Sequence, residues 1–366
     1  MNIPMLDLNR THAPISEALS SAFQRVLENN SYILGPEVST FETACAKYLG
    51  VKHAIGVPSG SDALLLALMS IGIKPGDEVI CPSYTFFATA GAVARLGATP
   101  IFVDLELETY NWDLEAVFQA HTPRTRAVIP VHLFGQAAAM EGLMDWAKAH
   151  DICVIEDVAQ SMGATWKGQQ LGSIGDMGCF SFFPSKNLGG FGDGGLITTQ
   201  DDALAEQVRI LRAHGSKPKY YHQQVGGNFR LDALQAALLS VKLPHLNSYL
   251  DARIELANHY LEHLHSSCIE ALPEVAKDNK MVWNQFVLRL KSPEARDTVQ
   301  EHLTQNGVAS AIYYPLALHQ QACFAQYNPP ELKNAEYAAQ RSLAIPIFPG
   351  MTTEEQNYII DIFKGL

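Results

Sequence analysis

Between residues 53 and 199 the chain breaks its helical patterns with short runs rich in Val, Ile and Phe that show no polar alternation. A strand with one solvated face alternates apolar and polar residues, whereas a strand covered on both faces does not. The runs 53–57, 78–81, 99–103, 126–131, 152–155 and 179–183 therefore read as strands of a sheet buried on both sides. Segments 61–71, 87–96 and 140–150 between them carry helical patterns. This succession implies an α/β fold with a mostly parallel central sheet and helices on both faces. Residues 196–199 follow after only a short Gly-rich loop, so that strand is expected to run antiparallel.

From Asp232 to Leu264 the pattern becomes helical. Leu246, Leu250, Ile254, Ala257, Leu261 and Leu264 recur at helix spacing, and Pro244 marks a break. The expected organisation is a large domain over 1–245 and a smaller C-terminal α+β domain over 246–366. The latter should hold a strand at 283–290, a helix at 293–305, a strand at 309–314 and a helix before Pro346.

The 366 residues are 47% hydrophobic and 17% charged, which suits a sizeable buried core and not a disordered chain. Twenty-six basic and 38 acidic residues leave a net charge of −12, so a general nucleic-acid surface is not expected. An anionic small molecule remains compatible, because a local basic pocket can sit within an acidic surface. The six scattered cysteines have no C-x-x-C spacing and read as reduced, packed thiols. The N-terminus has neither a basic leader nor a long apolar core, and no stretch is long enough to span a bilayer, so a cytoplasmic protein is expected.

Four segments carry candidate chemistry. In Val57-Pro58-Ser59-Gly60-Ser61-Asp62, a strand ends and an apolar helix begins near Ser61. Free N–H groups there can hold a phosphate, although taken alone an ordinary Ser N-cap is the simpler reading. In Ile155-Glu156-Asp157 two acids end a strand, where open α/β sheets place ligand groups. Neighbouring strand residues face opposite ways, so one acid is expected to face a site, and either could instead cap the next turn. Lys186 lies beyond an apolar strand among small residues, a setting in which lysine loses its proton easily and can form a Schiff base, although a lone loop lysine is usually just solvated. Gly190-Phe191-Gly192-Asp193-Gly194-Gly195 fits G-x-G-x-x-G, but a strand follows it instead of a helix, which rules out a dinucleotide fingerprint. Finally, Arg209, Arg212, His214, Lys217, Lys219, His222 and Arg230 concentrate positive charge, as an anion or subunit contact or as a solvated helix face and loop.

In order along the chain, Ser59-Gly60-Ser61-Asp62-Ala63-Leu64, Gly76-Asp77-Glu78-Val79-Ile80, Thr85-Phe86-Phe87-Ala88-Thr89, Glu156-Asp157-Val158-Ala159-Gln160-Ser161, Ser181-Phe182-Phe183-Pro184-Ser185-Lys186-Asn187, Gly192-Asp193-Gly194-Gly195 and Asn228-Phe229-Arg230-Leu231-Asp232 resemble the DegT/StrS-type nucleotide-sugar aminotransferases. That family is a branch of the fold-type-I pyridoxal-phosphate enzymes. The resemblance implies an aspartate-aminotransferase-like fold. It implies that Lys186 binds pyridoxal 5′-phosphate as a Schiff base and later moves a proton, and that Asp157 pairs with the pyridine nitrogen. Gln160 would touch the ring 3-oxygen and Phe86 would stack on the ring. Gly60, Ser61 and Ser181 would cradle the phosphate, with Asn228 reaching it from the partner of a homodimer with shared sites.

The implied reaction moves nitrogen from glutamate to C3 or C4 of a keto sugar on a nucleotide diphosphate, in amino-sugar biosynthesis. Arg230, Lys219, Tyr313, Tyr314 and His319 are the expected sugar or diphosphate contacts. Many relatives read His-Tyr-Pro where this chain has Tyr313-Tyr314-Pro315, which leaves the sugar and its position open. The alternatives are a dehydratase, a cyclitol aminotransferase, or a non-catalytic ligand-binding regulator on the same fold. A lysine at 186 argues against the dehydratases, in which the family's lysine is replaced by histidine.

Overall fold

The unalternating runs do form one sheet. In the computed structural model, which describes residues 1–366, its seven strands are β1 (His53–Val57), β2 (Glu78–Pro82), β3 (Thr99–Val103), β4 (Thr125–Val128), β5 (Cys153–Asp157), β6 (Met177–Ser181) and β7 (Gly195–Thr199). Their order across the sheet is β1-β7-β6-β5-β4-β2-β3. All neighbouring pairs are parallel except those of β7, which is antiparallel to both β1 and β6. The reversal at β7, after the Gly-rich loop without a helix, is as expected.

Helices cover both faces, which explains the missing alternation. Ile55, Ile155 and Ile197 enter one apolar core with Leu64, Leu66 and Leu68 of helix Gly60–Ser70. Their chain neighbours Ala54 and Leu196 enter a second core with Phe41, Phe180 and Ala236, and Val154 enters a third with Ile80 and Leu143. Successive residues thus face opposite ways and are all buried.

The long helical stretch is two helices, Ala233–Lys242 and Leu246–His263, joined by a 3₁₀ turn over Leu243–His245 that contains Pro244. Beyond it lies a three-stranded antiparallel sheet ordered Ile269–Ala271, Phe286–Leu290, Ser342–Ile345. Helix Pro293–Gln305 starts where expected, with Ser292 as N-cap.

Two expectations in this region are corrected. Residues 309–314 form no strand: Ala311 makes a single bridge to Ala344, while the tyrosines that follow turn toward the large sheet. The third strand is Ser342–Ile345, directly after helix Lys333–Arg341, where no turn residue announces it. The N-terminus also joins this part of the chain, since Ile3 pairs with Val308.

All six cysteines are free. Cys45, Cys81 and Cys179 are buried and Cys323 is exposed, so packing explains the first three and not the last. No helix is long and apolar enough to cross a membrane.

Candidate active site

The ends of β5 and β6 open into a cavity of about 490 Å³. It is lined by Gly60 and Ser61 at a helix start, Asp157 and Gln160 after β5, Ser181 and Lys186 after β6, and Phe86, Tyr313 and Tyr314. Nine of the thirteen expected site residues therefore converge, from five separate stretches of chain.

Lys186 sits on a tight loop. Its N–H donates to Phe183 O (2.8 Å), and Gly190 N donates to Phe182 O (2.7 Å). Gly189 is required here, because a Cβ on it would lie 2.2 Å from Pro184 O. Burial lowers the Lys186 pKa from 10.5 to about 8, with the Asp157 charge working in the opposite direction. The amine is thereby brought into the range where it is a usable nucleophile.

Asp157 is 5% exposed. Its Oδ2 accepts from Thr89 Oγ1 (2.9 Å) and its Oδ1 from Ala159 N (3.1 Å). Burial raises its pKa, with these two hydrogen bonds and the charges of Lys186 and His132 opposing the shift. Glu156 faces the other way and is fully buried: it accepts from the N–H groups of Gly172, Ile174 and Gly175 and pairs with His132 Nε2 (2.9 Å). One acid serves the cavity, and the other fastens the loop before β6.

The N-cap of helix Gly60–Ser70 is Ser59, one residue outside it, whose Oγ accepts from Asp62 N (3.0 Å) and donates to Asp62 Oδ2 (2.9 Å). The Asp62 carboxylate is thereby tied to the cap hydroxyl. The first two N–H groups, of Gly60 and Ser61, have no intrahelical acceptor and adjoin the cavity. A Cβ on Gly60 would sit 2.7 Å from Ser181 Cβ, so only glycine allows these two walls to close into a cradle.

Gln160 is fixed at both ends of its amide: Oε1 accepts from Phe134 N (2.7 Å) and Nε2 donates to Tyr314 OH (3.2 Å). Tyr84 was not singled out from the sequence, yet its hydroxyl donates to Tyr313 O (2.5 Å) and accepts from Tyr314 N (2.9 Å). Thr89 and Gln285 were also missed. Thr89 lies in a recognisable motif, whereas nothing local marks Tyr84 or Gln285.

Four expected residues lie outside the cavity of this chain. His319 is 7% exposed, and both ring nitrogens are engaged, Nδ1 with Ser83 Oγ (2.5 Å) and Nε2 with Glu336 Oε1 (2.9 Å). Asn228 is exposed and bridges Ala213 through its backbone. Arg230 is partly buried, with no acceptor for its Nε. Lys219 lies over the Tyr220 ring (5.0 Å) in a segment where Tyr220 and Val225 are 79% and 89% exposed.

Residues 14–364 match the model of the DegT/DnrJ/EryC1/StrS aminotransferase family. The chain belongs to that family. It is 44% identical over 365 residues to the pleiotropic regulatory protein of Geobacillus stearothermophilus, covering 99% of this chain and 97% of that one. It is 46% identical over 362 residues, with the same two coverages, to the UDP-N-acetyl-3-dehydro-α-D-glucosamine 3-aminotransferase of Acidithiobacillus ferrooxidans. Among solved structures, the family fold is matched by S. venezuelae DesV in complex with a ketimine intermediate. The TM-score is 0.95 at 41% identity, covering 100% of this chain and 98% of that one. The putative sugar aminotransferase Spr1654 of Streptococcus pneumoniae, solved in PLP and PMP forms, matches with a TM-score of 0.88 for both forms. Its identity is 26%, and 95% of this chain is covered, with 94–95% of that one. As a family member this chain is an aminotransferase with the family's mixed, mostly parallel central sheet.

Proposed function

We propose that this family member uses pyridoxal 5′-phosphate to move an amino group from glutamate to a keto sugar carried on a nucleotide diphosphate. The observation that carries the reading is that one cavity holds the low-pKa amine of Lys186, the buried carboxylate of Asp157 and the open helix start at Gly60 and Ser61. These groups fit the cofactor: an amine for its aldehyde, an acid for its ring nitrogen and a cradle for its phosphate. When bound, the cofactor supplies an electron sink next to the reacting carbon.

The chain's own residues do the rest. The Gly60 and Ser61 N–H groups, with the Ser61 and Ser181 hydroxyls, hold the phosphate. Asp157 would keep a proton on the ring nitrogen, Phe86 would cover the ring, and Gln160 would touch the ring 3-oxygen. Lys186 Nζ anchors the cofactor and, once released, carries the proton to and from the substrate carbon. Tyr313 and Tyr314 wall the sugar side. Asn228, Arg230 and Lys219, which stand outside this cavity, serve the cavity of a second copy in a homodimer. The exposure of Asn228 and Lys219 supports that placement. The small unit from residue 246 onward closes over the sugar. The name of the Acidithiobacillus ferrooxidans relative favours C3 over C4.

The test is a two-stage absorbance experiment on the purified protein. Glutamate should convert the yellow form to the colourless aminated form, and a nucleotide 3-keto sugar should restore it, with both absent in Lys186→Ala turnover. Amination of free cyclitols alone, or dehydrated sugar as product, would replace this reading.

A further inference from the structure

Several of the polar side chains lining the cavity are committed within the chain. Asp157, Gln160, Tyr314, Ser59 and Ser181 all hydrogen-bond to other residues. Of the lining residues, Gln285 alone has a side-chain atom that is both buried and without a partner. It lines the same cavity, yet its Oε1 is shut off from solvent and has no donor. A buried, unpaired amide oxygen is costly, and the cost is recovered when the partly exposed side chain turns its carboxamide to a donor in the cavity.

The backbone that presents Gln285 is held firmly. Val282 N donates to Gly135 O (2.9 Å) and Asn284 N to Phe134 O (2.9 Å). Buried Arg253 donates through Nη1 to Trp283 O (3.1 Å) and Ile347 O (2.8 Å), with no carboxylate partner. The neighbouring Asn284 turns to the Lys186 loop, its Nδ2 donating to Asn187 Oδ1 (3.1 Å). Phe286 then enters the small sheet. The turn is therefore braced on both sides, while no hydrogen bond within the chain holds the carboxamide of Gln285, which keeps its full hydrogen-bonding capacity at the cavity wall.

Resting on the function proposed above, we infer that Gln285 is a specificity-determining residue whose carboxamide hydrogen-bonds a hydroxyl of the acceptor sugar. A neutral carboxamide suits a neutral hydroxyl. It adds no charge beside a phosphate and has no proton to contribute to the transfer. The residue therefore acts on which sugar is accepted and leaves the amino-donor step alone. A sugar lacking the contacted hydroxyl leaves the carboxamide unpaired, and sites built for a hydroxyl discriminate strongly against such analogues.

The test measures the two half-reactions separately on holoenzyme carrying Gln285→Leu or Gln285→Glu, with thermal melting as a check on folding. The acceptor probes are UDP- and dTDP-linked 3-keto and 4-keto hexoses, each paired with its mono-deoxy counterparts. In Gln285→Leu, kcat/KM for the preferred acceptor should fall roughly tenfold, the value of one neutral hydrogen bond. The glutamate half-reaction should stay within about twofold, and one deoxy acceptor should lose its disadvantage. Equal loss in both half-reactions, no loss in either, or the same loss on every deoxy acceptor would overturn the inference. If Gln285→Leu melts early, Gln285→Glu decides by the same split. Failure of the wild-type protein to respond to glutamate or to any keto sugar would instead sink the proposed function.

Discussion

Glu156 and Asp157 are adjacent on one strand, and their carboxylates serve opposite sides of the sheet end. Glu156 collects three backbone N–H groups from residues 172–175 and pairs with His132, while Asp157 faces the cavity shared with Lys186. The half-turn between successive strand residues makes the division unavoidable. It separates an acid that fastens a loop from one that faces the cavity.

Asp157→Asn should therefore leave the fold intact and remove the charge expected to hold the ring nitrogen protonated. Turnover should fall roughly 10²–10³-fold, the range seen when one preorganised electrostatic group is lost. Steady-state assay beside an unchanged circular dichroism spectrum checks this. Near-wild-type turnover would remove Asp157 from the mechanism.

Glu156→Gln should show the reverse pattern. The amide places an NH₂ group against N–H donors, leaving buried partners unsatisfied, and unfolding free energy should drop by about 1–3 kcal/mol. Urea denaturation reads the loss. Turnover per folded molecule should fall far less than in Asp157→Asn.

The depressed Lys186 pKa sets a pH dependence for cofactor capture. Only the uncharged amine attacks the aldehyde, and its share rises with pH through about 8, then levels off. Burial places the group below its usual 10.5, so protonation suppresses capture on the acid side of 8 and not up to 10.5. The rate at which cofactor-free protein gains visible absorbance, followed from pH 6 to 10, should plateau near 9. A continued rise toward pH 10 would mean that the amine is not desolvated.

Tyr84→Phe removes the hydroxyl that meets both Tyr313 O and Tyr314 N. The two cavity tyrosines should loosen, raising KM for the keto sugar several-fold at the energy of about one hydrogen bond. The glutamate half-reaction should change little. Matched loss in both halves would show that Tyr84 supports the whole cavity and not its sugar wall.

Much of this site lies in short contiguous signals. Six of the seven large-sheet strands were legible as apolar runs because helices cover both faces, and the direction of the seventh was legible from the short Gly-rich loop before it. Lys186, Asp157 and the Gly60-Ser61 turn sit directly after strands, where parallel sheets expose their ligand-binding edge. The strand Ser342–Ile345 was missed because it follows a helix without a break residue, and 309–314 was overread because β-branched and aromatic residues there serve packing and not pairing.

What the sequence determined by itself was the sheet, its one reversal and the order in which chemical groups arrive at its edge, since those depend on local pattern and chain direction. The tertiary structure alone decided how those groups behave. It buried Lys186 deeply enough to lower its pKa, brought Tyr84 to Tyr313 across 229 positions, closed His319 between Ser83 and Glu336, and left the Gln285 carboxamide without a partner. Desolvation and long-range hydrogen bonding are properties of packed surroundings, and no run of neighbouring residues encodes them.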